Sequence, residues 1–140
     1  MPAAASGLRF FLDRGLGSRI IPGLLRAAGW QLTTMDERYG TAESQNIPDV
    51  DWIEQATMRR EVLLCKDLAI ARNRLEAEAV FRASARVFGL ANANLSGPDA
   101  AACLLSHEEA ITAMAARAAG PYVVSVSQLR LRRCRLNLGI

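Results

Sequence analysis

The sequence has very little cysteine, histidine and lysine, and these shortages exclude several classes of protein. Its three cysteines, Cys65, Cys103 and Cys134, are widely separated and odd in number, and His107 is the one histidine. No Cys-x-x-Cys spacing occurs, so we expect neither a zinc site nor a disulfide framework. Unpaired cysteines are typical of a reducing compartment, and we therefore expect a cytoplasmic protein.

Long apolar runs and the common catalytic motifs are also absent. No run approaches the ~18 residues that a membrane-spanning helix needs, and residues 1–6 lack the basic segment of a secretory signal. We therefore expect no membrane partner. No glycine-rich phosphate loop, G-x-G-x-x-G or G-x-S-x-G sequence occurs, which argues against the usual nucleotide-binding and serine-hydrolase sites.

The remaining composition is that of an ordinary globular domain. The chain has 140 residues, of which 51% are hydrophobic and 22% are charged. That length supports a sizeable core, and the apolar content argues against general disorder. We predict a single domain over residues 1–140, with its core at about 8–128 and a basic strand or tail at 129–140.

Arginine supplies nearly all of the positive charge. The net charge is +3, and Lys66 is the one lysine among 17 basic residues. Arginine binds phosphate in a bidentate manner, which suits nucleic acid. The last stretch of the chain is especially basic. It is either a solvated edge strand or a patch that faces RNA or a protein partner. Its arginines are Arg130, Arg132, Arg133 and Arg135.

Strand and helix patterns alternate along the chain. Short apolar and β-branched segments predict strands at residues 8–12, 30–35, 61–65, 85–90, 122–127 and 129–136. Apolar residues at helical spacing predict helices at 17–29, 49–60, 74–84 and 96–120. Residues 36–48 are polar and are expected to form a loop. This alternation predicts an α/β fold with a mostly parallel central sheet.

Acidic residues follow three of the predicted strands. Asp13 follows the first strand in "FFLDRG", Asp36 and Glu37 follow the second, and Asp67 follows the third. Parallel strands end at the same edge of a sheet, where ligands bind. We therefore expect these side chains at one edge, together with acids from the early turns of two helices. Those further acids are Asp51, Glu54, Glu76 and Glu78.

Two interpretations of these acids stay open. Each acid alone can be a turn or helix cap, which stabilises by about 0.5–2 kcal/mol. Several carboxylates in one place repel each other and are costly to desolvate. A hard cation such as Mg²⁺ or Mn²⁺ removes that conflict because it prefers carboxylate and water oxygens. If the acids converge, Asp13 is a metal ligand and the implied chemistry is phosphodiester hydrolysis by a metal-activated water.

The order of these segments resembles a known family. "FFLDRGLG" is followed by "LRAAGW", "DVDWI" and "VLLCKD", and later by "ARVFGLANANLSG" and "GPYVVSV". The set is similar to PIN-like domains of the VapC toxin type, over about residues 8–128. This resemblance implies a three-layer α/β/α sandwich.

The resemblance also implies a function. Members of this group are Mg²⁺-dependent endoribonucleases, usually the toxins of bacterial toxin–antitoxin pairs, so the implied partners are RNA and a cognate antitoxin protein. The implied catalytic and metal-binding residues are Asp13, Asp51 and Asp67. Glu76 is implied as a further metal ligand, and Glu37 is a weaker candidate. Many of these domains carry a second aspartate after the third strand, where this sequence reads "LAIAR", so the fourth ligand stays open.

Basic residues near the acids are candidate substrate contacts. Arg14 and Lys66 flank two of the acids and can bind the scissile phosphate, although charge balance beside carboxylates explains them equally. Arg72, together with Arg74 and the last arginines of the chain, can follow the RNA backbone. The alternating last strand also leaves a homodimer open.

Two further functions compete with the nuclease hypothesis. A non-catalytic relative would keep the fold and bind RNA or a protein without cutting. A receiver-type domain with Asp13 as phosphoacceptor is disfavoured, because the sequence lacks the paired acids and the late lysine that receivers need. His107 is expected to be an ordinary helix residue, and Trp30 and Trp52 are expected to lie in the core.

Overall fold

A computed structural model describes residues 2–140 as a six-stranded sheet with helices on both faces. All neighbouring strands run parallel except the last pair, which is antiparallel. The prediction of an α/β fold with a mostly parallel sheet is confirmed. In chain order, the strands are β1 Arg9–Leu12, β2 Gln31–Thr33, β3 Val62–Cys65, β4 Arg86–Leu90, β5 Tyr122–Val126 and β6 Leu131–Arg133. Across the sheet, they lie in the order β2-β1-β3-β4-β5-β6.

Helices connect the strands throughout the described chain. Within residues 2–140 they are α1 Ala3–Ser6, α2 Ile20–Ala27, α3 Met35–Tyr39, α4 Asp49–Met58, α5 Ala69–Arg72, α6 Arg74–Ala83, α7 Gly97–Ser106 and α8 Glu108–Arg117, with a 3-10 turn at Arg14–Leu16. None of these helices has the length and apolar character needed to cross a membrane.

The sheet separates two clusters of buried residues. Phe10 and Leu12 of β1 point to one cluster, whereas Phe11 points to the other, because successive side chains of a strand alternate between faces. Helices α2, α7 and α8 cover the first face, and α4, α5 and α6 cover the second. Trp30 lies in the first cluster and Trp52 in the second, which confirms that both are core residues. The architecture is therefore a three-layer α/β/α sandwich.

The position of β1 between β2 and β3 creates the crevice that positions the site. The chain passes from β1 to β2 on one side of it, and then returns through α4 to β3 on its other side. In a parallel sheet, the connections diverge at such a reversal of strand order and leave a crevice at the carboxyl ends of the strands. Here the crevice opens beyond β1 and β3, which end at Leu12 and Cys65.

Four helical segments differ from the sequence predictions, and two of them, α1 and α5, are short helices where none was predicted. The segment predicted as a polar loop contains α3, because Thr34 and Glu37 form a reciprocal capping box at its start. The prediction of one helix over 96–120 is wrong, since α7 and α8 meet at His107. The imidazole Nε2 of His107 lies 2.7 Å from the Ser127 carbonyl oxygen, which ties this break to the end of β5.

Candidate functional site

Asp13 lies at the carboxyl end of β1 and is held by backbone groups. Its own N–H donates to the Leu64 carbonyl at 2.9 Å, which continues the pairing with β3. Its Oδ1 accepts the Leu16 N–H and its Oδ2 accepts the Lys66 N–H, each at 3.2 Å. Asp13 therefore caps the 3-10 turn and also presents a fixed carboxylate at the crevice, so the two interpretations of this residue are compatible.

Asp67 approaches the crevice from β3, which ends two residues earlier. Its Oδ1 accepts the Ala69 N–H at 2.9 Å, at the start of α5. Gly89 of β4 pairs with Cys65, and a Cβ on Gly89 would lie 2.5 Å from the Asp67 carbonyl oxygen. Only glycine therefore lets the backbone of Asp67 come this close to the sheet.

Asp49 is the first residue of α4 and faces the same crevice. Its Oδ1 accepts hydrogen bonds from Arg14 Nη1 at 2.7 Å and from Trp52 Nε1 at 2.9 Å. The other terminal nitrogen of Arg14 donates to the carbonyl oxygens of Ile47 and Ser44. Arg14 thus joins Asp49 to the loop that precedes α4.

Four carboxylates line one small cleft at this place. The cleft has a volume of about 210 Å³, and the four groups belong to Asp13, Asp49, Asp67 and Glu76. They come from β1, α4, the end of β3 and α6, so distant parts of the sequence meet here. The rest of the wall is formed by Arg14, Gly15, Trp52, Lys66, Ala69 and Ile70.

Burial and neighbouring charge raise the pKa of two of the four carboxylates, Asp13 and Glu76. Burial raises the pKa of Asp13 to about 6, and the charge of Asp67 adds to this against the backbone hydrogen bonds that favour the anion. Burial raises the pKa of Glu76 to about 7, with contributions from Asp49, Asp67 and Asp13. The pKa of the Cys65 thiol, which lies beneath the cleft, is also raised well above its ordinary value by burial and by Asp13. Keeping these carboxylates ionised together is therefore unfavourable, and a bound cation would relieve that cost.

The structure does not bring Asp51 into the cleft. Asp51 is exposed, and its charge acts on the Tyr39 hydroxyl instead. Two residues along an α-helix correspond to a rotation of about 200°, so Asp49 and Asp51 point in nearly opposite directions. Asp49 takes the place that the sequence predicted for Asp51.

Helical periodicity is the signal that could have identified Asp49. Trp52, Ile53 and Ala56 are the buried residues of α4. Asp49 stands three and four positions before the first two, on the same face of the helix. Of the two acids in "DVDWI", the family resemblance favours Asp51, whereas this helical spacing favours Asp49.

The other predicted site residues have mixed positions. Lys66 is exposed at the wall of the cleft, whereas Arg72 ends α5 outside it. Glu37 lies elsewhere, because it caps α3 and pairs with Arg26 at 2.6 Å. The Arg26 guanidinium accordingly lowers the pKa of Glu37.

The donor set of the cleft fits a hard divalent cation. It offers carboxylate oxygens, with no imidazole and only the buried Cys65 thiol nearby. Across residues 2–140, no three acidic, cysteine or histidine side chains lie close enough together to hold an ion. Side-chain rotation within the cleft would therefore have to accompany ion binding.

A second pocket lies at the ends of β4 and β5 and has a different character. It has a volume of about 360 Å³, and its lining includes Ala91, Leu95, Cys103 and Val126 but no carboxylate and no basic side chain. Its chemistry suits apolar contact rather than phosphate or metal binding. We therefore assign the candidate active site to the acidic cleft.

Comparisons with known proteins give a matching family and a similar curated protein. A sequence model of the family described as "PIN like domain" matches residues 8–92. A curated protein of Mycobacterium tuberculosis (strain ATCC 25618 / H37Rv), named "Putative ribonuclease VapC45", is 37% identical over 123 residues, which cover 88% of each chain. No solved structure gives a significant match.

Proposed function

The chain belongs to the PIN-like domain family and to its VapC-type group, and on that premise we propose that it is a metal-dependent endoribonuclease. The observation that carries this proposal is the cleft in which Asp13, Asp49, Asp67 and Glu76 meet at the carboxyl ends of parallel strands. The similarity to a protein that is named as a ribonuclease supports the same reaction.

We propose Mg²⁺ as the cofactor, with Mn²⁺ as a substitute. Asp13, Asp49, Asp67 and Glu76 would hold it, because hard cations prefer carboxylate oxygens and relieve the repulsion among them. When bound, the cation supplies activation of the attacking water and neutralises charge on the phosphate. Asp49 has one carboxylate oxygen, Oδ2, to which no donor within residues 2–140 is assigned, so this oxygen is available to a ligand.

The protein's own residues would position the reacting groups. In the proposed hydrolysis, a water oxygen bonds to phosphorus, the bond to the 3′ oxygen breaks, and a proton restores a 3′-hydroxyl. Backbone N–H groups of Leu16 and Lys66 fix the Asp13 carboxylate. The exposed Lys66 side chain would contact a non-bridging phosphate oxygen at the mouth of the cleft.

We propose a different role for Arg14 from the one that the sequence predicted. Its guanidinium is already bonded to Asp49 and to the carbonyls of Ile47 and Ser44. These contacts indicate that Arg14 orients Asp49 and does not bind the RNA phosphate. Loss of such supporting contacts commonly lowers metal affinity or activity by about 10–100-fold.

We make two partner proposals, one based on the family and one based on the last strand of the sheet. A cognate antitoxin protein would suppress the nuclease by covering the acidic cleft, and its basic side chains would meet the carboxylates there. A homodimer is a separate proposal, based on β6, which is paired along one edge with β5. Co-expression with a candidate antitoxin and sedimentation of the purified chain test these two proposals independently.

Cleavage of RNA by the purified protein tests the proposed function. We expect structured RNA to be cut with Mg²⁺ or Mn²⁺ and left intact with EDTA. Asp13→Asn and Asp67→Asn should each reduce the rate by at least about 10²-fold, because each removes a charge that the proposed metal site requires. If both variants cut as fast as the wild type, the activity comes from elsewhere. If the wild type binds RNA and never cuts it, the non-catalytic hypothesis is favoured.

A further inference from the structure

A second groove lies beside the acidic cleft, between α5 and the last residues of the chain. After β6, residues 134–140 cross back over the sheet towards α5. The Cys134 N–H donates to the Val123 carbonyl at 2.8 Å. Further along, Asn137 donates from its backbone N–H to the Ala71 carbonyl at 2.9 Å and from Nδ2 to the Arg72 carbonyl at 2.8 Å. These bonds satisfy carbonyl groups at the end of α5 and fix the path of the segment.

The groove is basic. It has a volume of about 490 Å³, and Arg72 from one side and Arg135 from the other line it together with Asn137. Burial raises the pKa of the Cys134 thiol, and the charges of Arg72 and Arg132 act in the opposite direction. Two arginines thus line the groove, and Arg132 adds positive charge close to the neighbouring Cys134.

In the part of the chain that the structure describes, these arginines have no acidic partner. The five ion pairs within residues 2–140 involve Arg14, Arg26, Arg38, Arg74 and Arg82. Arg72, Arg132 and Arg135 are exposed and take part in none of them. Because exposed, unpaired guanidinium groups bind phosphate oxygens strongly, the groove is complementary to a polyanion.

The groove and the acidic cleft lie along the same short helix, α5. Ala69 and Ile70, at the start of α5, line the cleft, and Arg72, at the end of the same helix, lines the groove. The two sites are therefore only about one helical turn apart along α5, so one RNA strand can reach both.

We propose that this groove, defined by Arg72 and Arg135 with Arg132 nearby, binds the sugar-phosphate backbone of single-stranded RNA next to the bond that is cut. This inference rests on the proposed function, because it extends the substrate path of the same site. Arg133 is excluded from the path. Arg133 follows Arg132 in β6, so its side chain points to the other face of the sheet. There its guanidinium lies 5.0 Å from the centre of the Tyr122 ring.

RNA binding without cleavage tests the proposal. The full chain is titrated in EDTA against a fluorescein-labelled single-stranded 12-nucleotide RNA, and anisotropy gives the affinity at several salt concentrations. The double variant Arg72→Ala/Arg135→Ala should bind about tenfold more weakly. The slope of log affinity against log salt should fall by about 1.4, since each lost phosphate contact on a single strand accounts for about 0.7.

Matched controls separate this site from general charge effects. Arg133→Ala removes a charge from the same strand on its other face. Arg117→Ala removes one from the end of α8, an exposed position near the amino end of β5 and therefore at the opposite edge of the sheet. Both controls should keep the wild-type slope. The variant Arg72→Lys/Arg135→Lys should also keep most of the slope, because the charge remains.

Several results would overturn the groove proposal. They are a wild type that does not bind the RNA, a double variant with unchanged affinity and slope, and a control that loses as much affinity as the double variant. An oligoglutamate peptide that displaces the RNA at lower concentration than unlabelled RNA would identify the groove as a protein-binding surface instead. RNA binding through the groove by a protein that never cuts RNA with Mg²⁺ would end the nuclease proposal and leave the groove proposal standing.

Discussion

At the scale of single residues, the role that we propose for Arg14 is to orient Asp49 rather than to contact the substrate. We predict that Arg14→Ala lowers kcat by about 10–100-fold and leaves KM for RNA within about twofold, because Asp49 loses its orientation while the RNA surface is unchanged. Arg14→Lys should rescue only part of the rate, since lysine keeps the charge without the fork of donors.

Steady-state kinetics of these two variants distinguish the roles of Arg14. A raised KM with an unchanged kcat would instead make Arg14 a phosphate contact, as the sequence predicted. Metal affinity, measured by calorimetry, provides a second readout that does not depend on turnover. The Arg14→Ala protein should bind Mn²⁺ about tenfold more weakly.

Asp13 and Glu76 should make the stability of the metal-free protein depend on pH. Their pKa values rise in the folded chain from 3.8 to about 6 and from 4.5 to about 7. The folded state then binds more protons than the unfolded state between about pH 4 and pH 7, so the free energy of unfolding falls as the pH rises through that window. We predict a lower Tm at about pH 8 than at about pH 5.5 in EDTA.

Thermal unfolding of Glu76→Gln is the control for this prediction. A glutamine cannot titrate, so the variant should lose less stability than the wild type over the same pH range. Mg²⁺ should raise the Tm of the wild type more at the higher pH, where the carboxylates are free of protons. An identical pH dependence in the variant and the wild type would show that Glu76 has no part in it.

At the scale of secondary-structure elements, the contact between β4 and the end of β3 sets the position of Asp67. We predict that Gly89→Ala lowers the free energy of unfolding by about 1–3 kcal/mol, because its Cβ would lie 2.5 Å from the Asp67 carbonyl oxygen and the backbone would have to move. RNA cleavage should fall as well, since Asp67 belongs to the cleft.

Gly23→Ala provides a matched control for that substitution. Gly23 lies in α2 with no atom within 4 Å of the added methyl group, so alanine there should raise stability by about 0.5–1 kcal/mol and leave activity unchanged. Denaturant unfolding measures both changes. Equal effects of the two substitutions would contradict the steric role of Gly89.

The elements also show which parts of the structure were predictable from the sequence. Apolar strands such as β3 and β4 were identified because they are buried on both faces. Helix α3 was missed although Thr34 and Glu37 carry a capping-box signal. The break at His107 could not be foreseen, because it coincides with a contact to Ser127, which follows a strand distant in sequence.

At the scale of the whole molecule, sheet topology brings the site together. The sequence predicted that Asp13 and Asp67 would meet, because acids that follow parallel strands share one edge. It did not predict the choice of Asp49 over Asp51, which depends on the rotation of α4 about its axis. Nor did it predict that the last residues return to α5, since the Asn137 contacts join segments that are 65 residues apart.

The central claim is that Asp49, together with Asp13, Asp67 and Glu76, forms one cation-binding cleft. Mn²⁺ binding, measured by electron paramagnetic resonance on Asp49→Asn and Asp51→Asn, tests this claim most directly, because the two variants lose the same charge from the same turn of α4. The account predicts at least about tenfold weaker binding for Asp49→Asn and wild-type affinity for Asp51→Asn. Weakened binding in Asp51→Asn with normal binding in Asp49→Asn, or a wild type that binds no Mn²⁺, would contradict it.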